Sequence, residues 1–127
     1  AKIYNCISSY CDRIRFFQEC MWLLLCGCGT GFSVQSHHVE KLPNFLVSKS
    51  TDLEKEKIYK IDDSIEGWAD ALGVLLSSYL PNQEFSEYQG CKVTFDYSAI
   101  RPKGASLSYG VGKCTFMFSQ YISCFIY

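Results

Sequence analysis

Apolar residues recur with the period of an α-helix in two parts of the chain. In the first part they stand at i, i+3, i+7, i+10 and i+14, the spacing of one helical face: Ile14, Phe17, Met21, Leu24 and Cys28. Asp12 is the predicted N-cap of this helix. From Cys20 onward the other faces are apolar as well, so we expect the helix to be buried on most sides.

The second helical pattern is an apolar stripe that ends before Pro81. Its members are Ile65, Trp68, Ala69, Leu72, Leu75, Leu76 and Tyr79. The sequence Asp63-Ser64-Ile65-Glu66 predicts a capping box in which Asp63 is the N-cap. Four residues fall on the other side and are expected to face away from the core: Glu66, Asp70, Gly73 and Ser77. Such a pattern is typical of a helix that covers a sheet or barrel and keeps one side in water.

Short strand-like runs alternate with these helices. We predict strands over residues 3–8, 32–35, 56–61 and 91–97, with a turn at 9–12 after the first. The charged segment 48–60 is expected to be a surface excursion that returns as the third strand. Strands and helices in this order predict an α/β fold.

The composition is that of one domain with a hydrophobic core. The chain has 127 residues, of which 48% are hydrophobic and 16% aromatic. Its formal net charge of -1 gives no basic surface, so we expect no DNA or RNA partner and no anionic membrane. Residues 20–39 carry no Asp, Glu, Lys or Arg, but their apolar part is too short to span a membrane. Because Ala1 is not an initiator Met and no signal peptide is visible, we expect a cytoplasmic piece of a longer chain.

Eight cysteines leave two alternatives, a disulfide scaffold and a set of reduced thiols. Cys20, Cys26 and Cys28 lie in or just after the first helix, and the chain has no Asn-x-Ser/Thr sequon. We therefore expect most of the cysteines to be reduced and to behave as small hydrophobic residues. Cys26-x-Cys28 has no second cysteine pair, and the adjacent His37 and His38 are expected to point in different directions. No metal site is predicted.

Three glycines follow the first helix in the run Gly27-Cys28-Gly29-Thr30-Gly31. No Lys follows them, and the run comes after a helix rather than a strand, so it matches neither a P-loop nor a dinucleotide fingerprint. From the residues alone we interpret it as a loop that terminates the helix. Glycine at this density also lets a backbone approach another group closely.

Ordered segments of the chain resemble one enzyme family. They are YNC at 4–6, CGCGTGFSV at 26–34, and DSIEGWADALG at 63–73, followed at a distance by IRPKGASLSYG at 100–110. In this order they resemble the large, catalytic subunit of ribonucleotide reductase, most closely its adenosylcobalamin-dependent class, over residues 1–113. The resemblance implies an α/β fragment of a ten-stranded α/β barrel, built from two halves with the active site inside.

The resemblance also implies an activity, the conversion of ribonucleotides to 2′-deoxyribonucleotides by thiyl-radical chemistry. In this family the cysteine of the Asn-Cys motif is one of two redox-active thiols, so Cys6 is the candidate catalytic residue. The dithiol supplies two electrons and closes to a disulfide, which an external thiol reductant such as thioredoxin reopens. A thiyl radical on a third cysteine starts the reaction, and adenosylcobalamin is the implied source of that radical.

Nucleotide contacts are implied as well. For the ribonucleotide substrate they fall on Asn5, Gly27, Gly29, Gly31, Arg101, Lys103 and Gly104. Residues 101–112 match a mobile loop between effector and substrate; a solvated surface loop is the alternative from the residues alone. A deoxynucleotide (dNTP) effector is implied at Asp62, Asp63 and Ser64, where a helix start suits a phosphate. A plain N-cap is the alternative there.

The chain departs from the family in two respects. It contains neither the family's Asn-x-Cys-x-Glu motif nor the second redox cysteine, so we predict no reductase activity for the chain alone. The full-length enzyme is expected as a homodimer. Residues 114–127 form an apolar tail without charges, which we interpret as a frameshift, a read-through or an insertion boundary. Two rival functions stay open: a diiron-dependent reductase of the same family, and a non-enzymatic cysteine-rich binding module with paired disulfides.

Overall fold

Two β-α-β units make up most of what the structure describes. This computed structural model describes residues 6–46, 55–102 and 104–105. The elements in chain order are β1 (Cys6–Tyr10), α1 (Arg15–Leu25), β2 (Gly29–Ser33), the short α2 (Ser36–Val39), β3 (Glu56–Lys60), α3 (Ile65–Tyr79), a 3₁₀ turn (Ser86–Tyr88) and β4 (Lys92–Asp96). The predicted α/β class is confirmed.

Each unit holds a parallel pair of strands joined by a helix. β1 pairs with β2 so that Cys6 lies opposite Gly29, and β3 pairs with β4 so that Glu56 lies opposite Lys92. Parallel neighbours require a crossover connection, and α1 and α3 provide it. The predicted ten-stranded barrel is not seen: within the described residues the strands form two separate two-stranded sheets. The predicted tail at 114–127 lies outside the described residues.

The two units meet through their helices. Ile61, Trp68, Ala71 and Leu75 form a buried cluster around α3, and Met21 and Leu25 of α1 pack against it. At the helix crossing Gly73 lies so close to Gln18 that an added Cβ would stand 2.5 Å from the Gln18 Nε2 atom. Glycine at this position allows the close approach of α1 and α3.

The predicted burial of the two helices is wrong in part, although Trp68, Ala69, Leu72 and Leu75 of the predicted apolar stripe are buried as expected. Trp22 and Leu24 on α1 are 42% and 56% exposed, although the helix was expected to be buried nearly all round. On α3, Gly73 and Ser77 are buried, although they were expected to face away from the core. The reason is that α1 itself packs on the side of α3 that carries Gly73. Ser77 tolerates burial because its hydroxyl donates to the Gly73 carbonyl oxygen at 2.7 Å.

Both predicted N-caps are wrong, by two residues for α1 and by one residue for α3. Asp12 pairs with Arg13 at 2.7 Å, and α1 begins after Ile14 without a side-chain cap. The N-cap of α3 is Ser64, whose hydroxyl accepts a hydrogen bond from the Gly67 N–H at 2.9 Å. Asp63 does not cap the helix and instead accepts a hydrogen bond from Arg101.

Strand boundaries also differ near the glycine run. β1 continues to Tyr10, where a turn was predicted, because Ser9 and Tyr10 pair with Phe32 and Ser33. β2 begins at Gly29 rather than Phe32. Backbone hydrogen bonds with β1 define this strand. Because these bonds do not depend on side chains, the pattern of hydrophobic and polar residues does not show where the strand begins. Neither α1, α3 nor any other helix in the described ranges is long and apolar enough to cross a membrane.

Candidate functional site

The predicted site residues fall into two groups, one in each β-α-β unit. The first group is Cys6 with the glycine run, and the second is the start of α3 with the loop after β4. Asn5 and Lys103 lie outside the described residues, so their predicted roles stay predictions.

Cys6 lies beside the glycine strand in the first sheet. It is the first residue of β1 and faces Gly29 across the parallel pair, while Ser8 faces Gly31. The Cys6 thiol is free and exposed. This register brings together two segments that are more than twenty residues apart in the chain and that were assigned to the same site.

The three glycines have different roles. Gly27 adopts φ 81°, its N–H donates to the Leu24 carbonyl at 2.9 Å, and the Cys28 N–H donates to the Leu23 carbonyl at 2.9 Å. This is a Schellman motif, so the helix-terminating interpretation is correct for Gly27. Gly29 and Gly31 instead belong to β2.

Gly31 faces open space. A Cβ added there meets no atom within 4 Å among the described residues. The described part of the protein therefore gives no steric reason for glycine at this position.

The second group is held by a charged hydrogen bond. The Arg101 Nε donates to Asp63 Oδ2 at 2.6 Å, and both side chains are about three-quarters buried, with 26% and 27% exposed. Ser64 Oγ donates to Asp62 Oδ2 at 2.8 Å while it caps the helix. The segment predicted to hold an effector and the loop predicted to respond to it are thus in direct contact.

Gly104 lies farther along the same loop. It has φ 89°, a conformation that favours glycine, and nothing lies within 4 Å of an added Cβ. The loop therefore turns at this point without packing on the described residues. A phosphate at the start of α3 would meet Asp62, Asp63 and Glu66, so carboxylates there suit a ribose hydroxyl better than a phosphate.

The cysteines differ in exposure. Six of them, at positions 6, 11, 20, 26, 28 and 91, lie in the described residues, and no disulfide joins any two of these six. Burial raises the pKa of the Cys11 thiol, and the Asp12 carboxylate adds to this effect. Burial likewise raises the pKa of Cys20, against a smaller opposite effect of a hydrogen bond with Thr30. Neutral buried thiols are poor nucleophiles, which leaves the exposed Cys6 as the more accessible thiol.

The adjacent histidines contradict one expectation. Their rings do not diverge: the centroids of His37 and His38 are 3.9 Å apart, and His38 also lies 4.5 Å from the ring of Tyr10. Both ring contacts are tilted, with interplanar angles of 46° and 31°. Across residues 6–46, 55–102 and 104–105, no group of three or more His, Cys, Asp or Glu residues could hold a metal ion.

One feature of the structure was missed by the sequence pattern. A cleft lies between α1 and α3, and Gln18, Trp22 and Asp70 are among the residues that line it. The signal in the sequence was Gly73, a small residue inside a strong helical pattern, which is typical of a close helix contact.

Comparison with protein-family models, curated proteins and solved structures gave no match for the chain.

Proposed function

We propose that the chain is part of the large subunit of a ribonucleotide reductase, with Cys6 as one member of its redox-active pair. The observation that carries the proposal is the pairing of the family-like segments in space. Cys6 pairs with the glycine strand. Asp63, at the start of α3, binds Arg101 in the loop after β4.

The position of Cys6 suits a redox thiol. Such a thiol has to meet both the ribose and an external reductant, so it has to be accessible. Cys6 is exposed on β1, whereas Cys11, five residues later, is buried. Of the described thiols near the glycine strand, Cys6 therefore fits this requirement best.

In the proposed reaction Cys6 is one of two thiols that together supply two electrons to the ribose. The ribose 2′-hydroxyl leaves as water and a hydrogen takes its place on C2′. Two thiols supply the electrons and lose their hydrogens as an S–S bond forms between them. The second thiol lies outside this chain. An external dithiol then reduces the disulfide and becomes oxidised in turn.

The described residues identify no cobalamin site. The resemblance implies that the residues that bind adenosylcobalamin lie outside this chain. We therefore place the radical source in another part of the protein. The role proposed for this chain is to position Cys6, the glycine backbone and the effector-responsive loop.

The two β-α-β units also support membership of a larger α/β barrel. Parallel sheets are normally covered on both faces and are wider than two strands. Ile58 on β3 is 71% exposed and Phe32 on β2 is 54% exposed. Apolar strand residues exposed in this way are expected where further barrel elements cover them.

The test is an assay of the complete protein that contains this chain. We expect it to form deoxyribonucleotides with adenosylcobalamin and a dithiol reductant. Cys6→Ser should reduce multiple-turnover activity to background, because the substrate-reducing disulfide cannot form. Cys11→Ala is the matched control, since that thiol is buried, and it should keep most of the activity. Equal activity of Cys6→Ser and the wild type would contradict the proposal.

A further inference from the structure

A cleft between α1 and α3 has none of the predicted site residues in its lining. Its volume is about 490 Å³, within the range of small-molecule and side-chain pockets. Trp22 and Leu23 of α1 and Ala69 of α3 form its apolar lining. Trp22 is 42% exposed, so the cleft opens onto an accessible indole ring.

The charged lining of the cleft is predominantly acidic. Glu19, Glu66 and Asp70 contribute carboxylates, against one guanidinium from Arg15. Arg15 already forms ion pairs with Glu84 and, at 3.9 Å, with Glu19. Within the described part of the chain, no ion pair is found for Glu66 or Asp70. The cleft therefore has carboxylates that a cation from outside could neutralise.

A buried polar group lies in the same lining. Gln18 is only 8% exposed, and its Oε1 atom has no hydrogen-bond partner among the described residues. The same amide lies beside Gly73, where an added Cβ would stand 2.5 Å from its Nε2 atom. A buried carbonyl oxygen without a donor is costly, so a donor supplied by a ligand would be favourable.

We propose that this cleft binds an arginine side chain of a partner protein. A guanidinium group offers several N–H donors in one plane, enough for a carboxylate and the Gln18 carbonyl together. Its flat face stacks on an indole ring, and its methylene groups suit the contact with Leu23. The proposal uses none of the residues assigned to nucleotide reduction. A negative result for either proposal therefore leaves the other unaffected.

Protonation of the cleft should be linked to binding. Burial raises the pKa of Asp70, and the Glu84 and Glu66 carboxylates raise it further, while Arg15 acts in the opposite direction. A bound guanidinium favours the charged carboxylate. Arginine binding should therefore weaken as the pH falls and Asp70 becomes protonated.

The test uses the full chain and N-acetylarginine methylamide as the probe. The indole N–H signal of Trp22, assigned with Trp22→Phe, should shift saturably in ¹H–¹⁵N spectra. The uncharged analogue N-acetylcitrulline methylamide should bind at least roughly 10-fold more weakly, about the effect of one lost charged contact. The double variant Glu66→Gln/Asp70→Asn should weaken arginine binding by a similar factor.

Matched controls keep the test decisive. Glu40→Gln removes an exposed carboxylate outside the cleft and should leave binding unchanged. If the double variant does not fold, Glu66→Gln alone serves, because Glu66 is exposed. Equal binding of the citrulline analogue, or unchanged binding by the folded variant, would overturn the proposal. Tighter binding of 1,4-diaminobutane would also overturn the proposal and indicate that the cleft binds a free diamine. A shift of the Trp22 indole signal with protein concentration alone would overturn it as well and indicate that a second copy of the chain occupies the cleft.

Discussion

At the scale of single residues, Ser64 and Asp63 are neighbours with different functions. Ser64 caps α3 through the Gly67 N–H, and Asp63 binds Arg101. The sequence correctly located a cap at this point but assigned it to the wrong residue. Asp and Ser are equally good caps, so only the backbone conformation, extended at Ser64, decides between them.

Ser64→Ala should lower the free energy of unfolding by about 1 kcal/mol, the usual cost of a lost N-cap. Asp63→Ala should cost less, because its hydrogen bond with Arg101 is partly exposed to solvent. Urea unfolding followed by circular dichroism measures both variants. A larger loss for Asp63→Ala than for Ser64→Ala would contradict the assignment of the cap.

Gly73 tests the helix contact. An added Cβ would stand 2.6 Å from the Gln18 Cδ atom and 2.8 Å from a ring carbon of Phe85. Gly73→Ala should therefore destabilise the protein by about 1 kcal/mol net, since overpacking outweighs the gain in helix propensity. Gln18→Ala introduced into the same variant should recover part of this loss. A stabilising Gly73→Ala would show that α1 and α3 lie farther apart.

Asp70 gives a pH-dependent prediction. Its pKa is raised in the folded protein, chiefly by burial, so the folded state favours the neutral acid. Stability is thus lost as the pH rises from the ordinary pKa of Asp through the raised value. Asp70→Asn should be more stable than the wild type at pH 7, and the gain should vanish below about pH 3.9.

Asp96 is the matched control for this measurement. The Ser98 N–H and hydroxyl lower its pKa, so the charged form stabilises the fold. Asp96→Asn should therefore be less stable than the wild type at pH 7, with the difference shrinking as the pH falls. Shifts of the same sign for both variants would contradict the described environments.

At the scale of elements, the sequence pattern predicted the positions of the helices and strands more accurately than it predicted which of their faces are buried. Periodicity predicted α3 at the observed bounds and alternation predicted β4, because those patterns depend on neighbouring residues in the chain. Burial depends on which helix packs on which face. The helical pattern predicted that Gly73 faces solvent, whereas in the structure Gln18 of α1 lies beside it. The pairing of Cys6 with Gly29 likewise depends on tertiary contact and has no local signal.

The difference in exposure between the two tryptophans is measurable by fluorescence. Trp22 on α1 is 42% exposed and Trp68 on α3 is 9% exposed. Trp68→Phe leaves only Trp22 as emitter, and Trp22→Phe leaves only Trp68. Iodide should quench the first variant several-fold more strongly than the second, since it reaches only exposed rings. Equal quenching constants would mean that another part of the chain covers α1.

At the scale of the whole molecule, two β-α-β units are packed helix to helix, with a candidate site group in each. Both sheets expose apolar residues, among them Ile7 at 41% and Ile58 at 71%. Such surfaces are expected of a part taken from a larger parallel structure. If the proposed assignment to a ribonucleotide reductase is correct, the second redox thiol lies outside this chain, and the isolated chain should form no deoxyribonucleotides.

The coding sequence downstream of Lys113 tests the central claim most directly. If the chain is part of a ribonucleotide reductase large subunit, one of the three reading frames should encode Asn-x-Cys-x-Glu within the next few hundred codons. That motif supplies the cysteine and the glutamate that residues 1–127 lack. Its absence from all three frames over that distance would contradict the reductase assignment.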